Sequence, residues 1–252
     1  MNYHNSYADI FQKRGIQFAE ACRMYASSIA YEVETFLTFA NLIEGEIVLD
    51  IPAAGGYLAR YVKVPNISLV ALDPCPALSQ MADCLVDQSY CAPLSNLPFQ
   101  NCHFDAVLCL AGLHHESELE GFFKELSRVI KPGGRLVIAE VDESSAPAQF
   151  LNGFVNAHSS LGHQGLFFSG AYINSLENAG FMINKNEYKN YNWVFKSNIE
   201  MADAISRMFG IDQALSDQVI EGIKGTLGTK NLANGFVGML WGLRFVSCIR
   251  CL

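Results

Sequence analysis

Four of the six histidines in this 252-residue chain fall where a ligand-binding loop could use them. His114 and His115 are adjacent, and His158 and His163 stand five apart in the run HSSLGHQG. Imidazole changes charge near neutral pH, so side chains of this kind can take a proton from an acceptor or return one. Two aspartates, Asp50 and Asp73, each close a short apolar run. A carboxylate in that position can accept hydrogen bonds from paired hydroxyls, as the ribose-binding acids of nucleotide sites do. The histidines do not read as a metal set: adjacent and i, i+5 spacings put no pair on one face of a helix, and no carboxylate or thiol completes a familiar motif. No metal is therefore expected.

These residues need elements that bring them to one place. EIVLDI (46–51), SLVALD (68–73), FDAVLCLAGL (104–113) and RLVIAEV (135–141) are short apolar runs meeting turn-forming residues, the pattern of buried parallel strands. Between 119 and 130, Leu119, Phe122, Phe123, Leu126, Val129 and Ile130 share one helical face, and Lys131-Pro132-Gly133-Gly134 stops the helix. A further helix is expected over Ala171–Ala179, and two more strands over Glu187–Val194 and Met239–Cys248, on either side of a helical stretch. The pattern loosens between about 144 and 168. Before the first strand, Phe18, Cys22, Tyr25, Ile29 and Val33 recur at helical spacing, predicting one or two helices within 6–44. Strands alternating with amphipathic helices imply an open, mostly parallel α/β sheet with helices on both faces, whose ligands bind beyond the carboxyl ends of the strands.

Composition narrows the function. Half of the residues are hydrophobic, enough for one large domain with its own core. The net charge of −8 offers no average basic surface for a phosphate backbone or an anionic membrane, so neither a nucleic acid nor a membrane is the expected partner. The opening residues carry no apolar stretch of signal-peptide length, and the apolar segment 236–252 is broken by Arg244 and Arg250, which makes a cytoplasmic location the expectation. Eight scattered cysteines, with a lone CxxC at Cys248 and Cys251, point to reduced thiols rather than a disulfide framework.

Four segments in order, VLDIPAAGG, LVALDPCP, LPFQNCHFDAVLCLAGLHH and ELSRVIKPGGRLVIAEV, resemble the class I S-adenosylmethionine-dependent methyltransferases of the small-molecule type. The resemblance covers roughly residues 45–141. It implies a Rossmann-like, seven-stranded domain over 45–252, an N-terminal helical cap over 1–44 and an acceptor-binding insertion near 144–168. Asp50 and Gly56 match the family's acidic, glycine-spaced first motif, while Pro52 and Ala54 stand where its first two glycines would be. A pyrophosphate needs close backbone approach at such a loop, but S-adenosylmethionine carries no phosphate, so the departure counts more against a dinucleotide enzyme.

The resemblance further implies that the cofactor is S-adenosylmethionine, leaving as S-adenosylhomocysteine. It assigns Asp50, Ile51, Pro52, Ala53 and Gly56 to the cofactor loop, Asp73 to the ribose, Pro74 with Ala92, Pro93 and Leu94 to the adenine, and Leu110 and Ala111 to the cofactor's flank. The adenine-side aspartate of many relatives is replaced here by Cys91-Ala92-Pro93-Leu94-Ser95. Methyl transfer asks mainly for positioning, with a base only where the acceptor must lose a proton. His114, His115 and His163 are the catalytic candidates, and Tyr25, His158 and His163 the candidates for contact with a small-molecule or carrier-bound acceptor. Tyr191 and Trp193 fit core packing better than an acceptor pocket. The competing reading is a repurposed, non-catalytic member of the fold acting as a regulatory or interaction subunit. A homo-oligomer is compatible with the sequence and is not specified by it.

Overall fold

The computed structural model describes residues 7–251. Its centre is a sheet in the order β3-β2-β1-β4-β5-β8-β6, with β7 pairing β8 outside this path. The strands are β1 (Ile47–Asp50), β2 (Ser68–Leu72), β3 (Gln88–Tyr90), β4 (Phe104–Leu110), β5 (Ile130–Glu140), β6 (Phe181–Phe195), β7 (Thr229–Asn231) and β8 (Val237–Arg250). β1 to β5 pair in parallel, and β8 runs antiparallel to β5, β6 and β7. The expected seven-stranded, mostly parallel architecture thus holds, with one short extra strand.

Side-chain alternation divides the core. Val48, Leu69, Ala106, Leu108, Val137 and Ala139 face one layer, while Leu49, Val70, Val107, Cys109, Leu136 and Ile138 face the other. The register that sets Leu49 against both Val70 and Val107 keeps these sets on their own sides. Helices α4 (Leu119–Val129) and α7 (Gly170–Asn178) cover the second face. The first is covered by α2 (Ala26–Ala40) and by α8 (Asn198–Phe209) and α9 (Ser216–Thr226), while α1 (Tyr7–Met24) lies across α8 and α3 (Pro76–Ala82). Each fully buried Phe or Leu in these layers contributes roughly 1.5–3 kcal/mol.

Several boundaries differ from the sequence pattern: β6 begins six residues earlier than Glu187, β8 extends beyond Met239–Cys248 at both ends, β4 stops at Leu110, and the short β3 was not foreseen. β5 starts at Ile130, because Ile130 pairs with Phe104 before Lys131–Gly134 bulge out and the ladder resumes at Ala106 and Arg135. The loosely patterned stretch after Val141 is largely helical. Ser145 caps α5 (Ala146–Gln149) by accepting the Ala148 N–H, and the chain continues through a π-helical turn (Phe150–Val155) into α6 (Asn156–His158). A π turn breaks the 3.6-residue period, which explains why no helix was legible there. Among the described residues no helix is long and apolar enough to cross a membrane.

The chain goes from β1 outward to β2 and β3, then returns to the other side of β1 as β4. That reversal opens a crevice at the carboxyl ends of β1 and β4, the usual ligand position in such sheets.

Candidate functional site

Parallel strands end side by side, so Asp50, Asp73 and the Leu110–His115 turn converge on one rim. Asp50 is the last residue of β1, buried, and its Oδ2 is the buried side-chain polar atom without a hydrogen-bond partner among the described residues. Burial, and secondarily the charge of Asp73, pushes its pKa well above the ordinary carboxylate value. Asp73, fully buried after β2, accepts the N–H of Ala54 at 2.8 Å and the Tyr7 hydroxyl at 3.0 Å on Oδ2, and the Cys75 N–H at 2.8 Å on Oδ1. Desolvation outweighs these three donors and raises its pKa to about 6.

The loop over Asp73 has a cis Ile51–Pro52 peptide and places Ala54, Gly55 and Gly56 in succession at φ 48°, 83° and 75°. Ala54 therefore does without glycine the left-handed turn that glycine would ease. Gly112 serves close approach: a Cβ there would stand 2.7 Å from Cγ of Pro52.

Beside this rim lies a mainly apolar cavity whose enclosed volume is about 70 Å³. Pro52, Ala54, Leu110, Ala111 and His114 line it from the sheet side, Tyr7 and Phe11 from α1, and Phe209, Trp193 and Trp241 from beyond. Its buried acid is Glu32 on α2, whose Oε2 accepts the Tyr191 hydroxyl at 2.7 Å and the Trp193 indole N–H at 3.1 Å. Burial pushes Glu32 up to about 7, against the pull of those donors.

His114, which lines the cavity, gathers behind it with His115 and His163, all three buried, with ring centroids 4.1, 5.5 and 5.1 Å apart. Glu140, the last residue of β5 and fully buried, accepts the Leu113 and His114 N–H groups on Oε2 and the Val141 N–H on Oε1. It also accepts His114 Nδ1–H at 2.7 Å. The turn after β4 and the loop after α6 meet, so that residues far apart in sequence come together and one ring nitrogen of each histidine lies within 4.8 Å of the others.

Of the residues expected at the cofactor, Pro52, Leu110 and Ala111 line the cavity, and Ala54, which was not expected there, joins them. Ile51 and Ala53 are core residues, and Gly56 packs the turn against Ala82 of α3. Pro74 is brought to the segment bearing Ala92, Pro93 and Leu94 through Cys91, whose Sγ lies 3.9 Å from the Pro74 carbonyl, and Leu94 itself is buried. None of the three expected acceptor contacts, Tyr25, His158 and His163, is among the cavity-lining residues, although His163 packs against His114, which is. Tyr25 joins the start of α2 to α8 through its hydroxyl on Asp203, and His158 donates Nδ1–H to the Phe154 carbonyl and stacks on the Phe154 ring. Trp193, expected as simple core, contributes to the cavity. Glu32, Glu140 and Tyr7 were missed. The signal for the first two was an acid inside an otherwise apolar pattern, Glu32 beside Ile29, Val33 and Phe36, and Glu140 at the end of RLVIAEV. Tyr7 left none.

The rim fits the cofactor that the sequence implies. An uncompensated, buried Asp50 oxygen seeks a cationic group, and S-adenosylmethionine brings an ammonium and a sulfonium. Asp73 has lone-pair capacity for one ribose hydroxyl, and for a second if Tyr7 yields.

Residues 49–138 match the family model described as a methyltransferase domain. A demethylmenaquinone methyltransferase of Tropheryma whipplei is 37% identical over 114 residues, covering 44% of this chain and 46% of that protein. The chain thus spans about half the length of that relative. The ubiquinone/menaquinone biosynthesis C-methyltransferase UbiE of Chromobacterium violaceum is 26% identical over 219 residues, covering 83% and 79%. Among solved structures, that of the [4+2]-cyclase SpnF aligns over 98% of this chain and 97% of its own at a TM-score of 0.63 and 17% identity, a likeness of fold alone.

Proposed function

We propose, from the premise that residues 49–138 belong to the methyltransferase domain family of the class I S-adenosylmethionine-dependent enzymes, that this chain transfers a methyl group from that cofactor to a small, largely apolar aromatic acceptor. The observation that carries the reading is the partnerless Asp50 oxygen beside Asp73, at the rim of an aromatic cavity. Asp50 takes the cofactor's ammonium and Asp73 its ribose, with Pro74 and Ala92–Leu94 beside the adenine and Leu110 and Ala111 along its flank. When bound, the cofactor supplies a methyl carbon activated by a cationic sulfur.

The protein's own part is positioning and proton control. Trp193, Trp241 and Phe209 hold a flat ring and keep water out, which favours an in-line approach to the methyl group. Two relatives carry names that speak of demethylmenaquinone and of C-methylation in quinone biosynthesis. A quinol ring suits this cavity, and its carbon becomes nucleophilic as a ring hydroxyl gives up its proton. Glu32, poised near neutrality, receives that proton. His114, oriented by Glu140, together with His115 and His163, forms the polar end that holds the acceptor's oxygen. The N-terminal helices and the 144–168 segment act as the cover, and Tyr7 must leave Asp73 for the ribose to bind fully.

The test is incubation of the chain with methyl-labelled S-adenosylmethionine and a panel of demethylated naphthoquinols, phenols and amines. The reading expects label in a quinol or phenol and an equal amount of S-adenosylhomocysteine. Tight cofactor binding with no transfer to any member of the panel would overturn it and favour a repurposed fold.

A further inference from the structure

Three buried imidazoles in mutual contact are an unusual way to back a cavity wall, and their hydrogen bonds have a direction. Asn152 is fixed by the Gly165 peptide neighbourhood: its Nδ2 donates to the Gly165 carbonyl at 3.0 Å, while its Oδ1 accepts the Gly165 N–H at 2.7 Å. The same Oδ1 lies 3.0 Å from His163 Nδ1, so that nitrogen carries the proton and Nε2 is the electron-pair donor of the neutral ring. Glu140 does the same for His114, whose Nδ1–H it accepts. Two of the three rings are thus pinned at Nδ1 by an outer acceptor, one of them a fully buried carboxylate. This is the arrangement that orients metal-bound histidines and makes them better donors.

We propose that His114, His115 and His163 form a three-imidazole site for one divalent cation of the zinc type, behind the wall of the acceptor cavity. Ring nitrogens of the three lie within 4.8 Å of one another, a spread that small side-chain rotations reduce to a coordination sphere. Imidazole-only ligation selects zinc and its neighbours over magnesium or calcium, which require oxygen. Three protein ligands leave a fourth position for water or substrate, as in catalytic rather than structural zinc sites. His114 lines the cavity, and the His115 ring lies 6.5 and 5.9 Å from the cavity-lining rings of Tyr7 and Phe11, so the fourth ligand comes from that side. Glu140 places a negative charge one ring away from the cation. The identity of the fourth ligand, an anionic oxygen of the acceptor, rests on the methyl-transfer reading; the metal site itself does not.

The experiment titrates Co²⁺ and then Zn²⁺ into the full chain after chelator treatment, without cofactor or acceptor, so that its failure stands apart from any failure of methyl transfer. The exposed thiols Cys84, Cys91, Cys102 and Cys251 are alkylated beforehand, because they would bind either metal. The expected result is one Co²⁺ per chain, visible bands of nitrogen ligation without near-ultraviolet thiolate bands, and displacement by one Zn²⁺. His163→Gln and His115→Gln, each with an unchanged circular dichroism spectrum, should weaken binding by more than the ~10–100-fold typical of losing an outer-shell partner. The wild-type titration decides alone if either variant does not fold. Absence of stoichiometric binding, thiolate bands, or wild-type affinity in both folded variants would overturn the proposal.

Discussion

Asp50 and Asp73 are fixed by backbone, whereas Glu32 and the histidines are fixed by side chains from distant parts of the chain. The two acids sit where adjacent parallel strands stop, and the Asp73 carboxylate is held mainly by the N–H groups of Ala54 and Cys75. Glu32 depends on Tyr191 and Trp193 across more than 150 residues of sequence, and His114 and His163 meet only because the loop after α6 folds onto the turn after β4. A strand end that the sheet itself determines can serve any member of the fold. A wall assembled from helices, a π turn and a late strand pair is free to change, and it is where acceptor choice belongs.

The comparison breaks most visibly at Glu32. Its carboxyl stays protonated in the fold up to about pH 7, while in the unfolded chain it ionises near the ordinary value of 4.5. Between those values the folded state binds the extra proton, so the Glu32 contribution is fully present below about pH 4.5 and is lost as pH rises through about 7. Glu32→Gln removes this titration. Urea unfolding should find the variant more stable than wild type by about 3 kcal/mol at pH 8, with the gap closing towards pH 4.5. A constant difference across that range would mean that Glu32 is not held in its acid form.

Asp50→Asn tests the other half. It keeps the shape but removes the charge that a cationic cofactor would meet, and should weaken S-adenosylmethionine by ~10–30-fold. Because Asp50 is held above the usual carboxylate range, cofactor binding should also release protons in wild type and fewer in the variant. Calorimetry in buffers of different ionisation enthalpy reads both effects. The smallest change is expected at the seam between the halves. Tyr7→Phe removes the hydroxyl that competes with ribose for Asp73 and should tighten the cofactor by ~5-fold, about the worth of one hydrogen bond. Weaker binding in this variant would mean that Tyr7 holds the cofactor rather than yielding to it.

Legibility followed the same division. Apolar runs ending in acids gave β1, β2 and their aspartates, because parallel strands buried on both faces have a local signature. The glycine-poor loop was readable as an altered turn, and Ala54 at positive φ shows what the alteration asks of the backbone. The histidine cluster could be seen only as two unrelated pairs, since sequence spacing carries no information on which loops meet. His158 and Tyr25 were drawn towards the acceptor by their chemistry, yet their polar atoms are committed to Phe154 and Asp203. Tyr7 became visible only once α1 was laid across the cavity.

Titration calorimetry of S-adenosylmethionine into wild type and Asp73→Ala tests the central claim most directly, that the acids closing β1 and β2 hold the cofactor beside the aromatic cavity. The expected result is one site per chain in wild type and ~10–100-fold weaker binding in the variant, with circular dichroism unchanged. Equal affinity in the two proteins, or no binding to wild type, would contradict it.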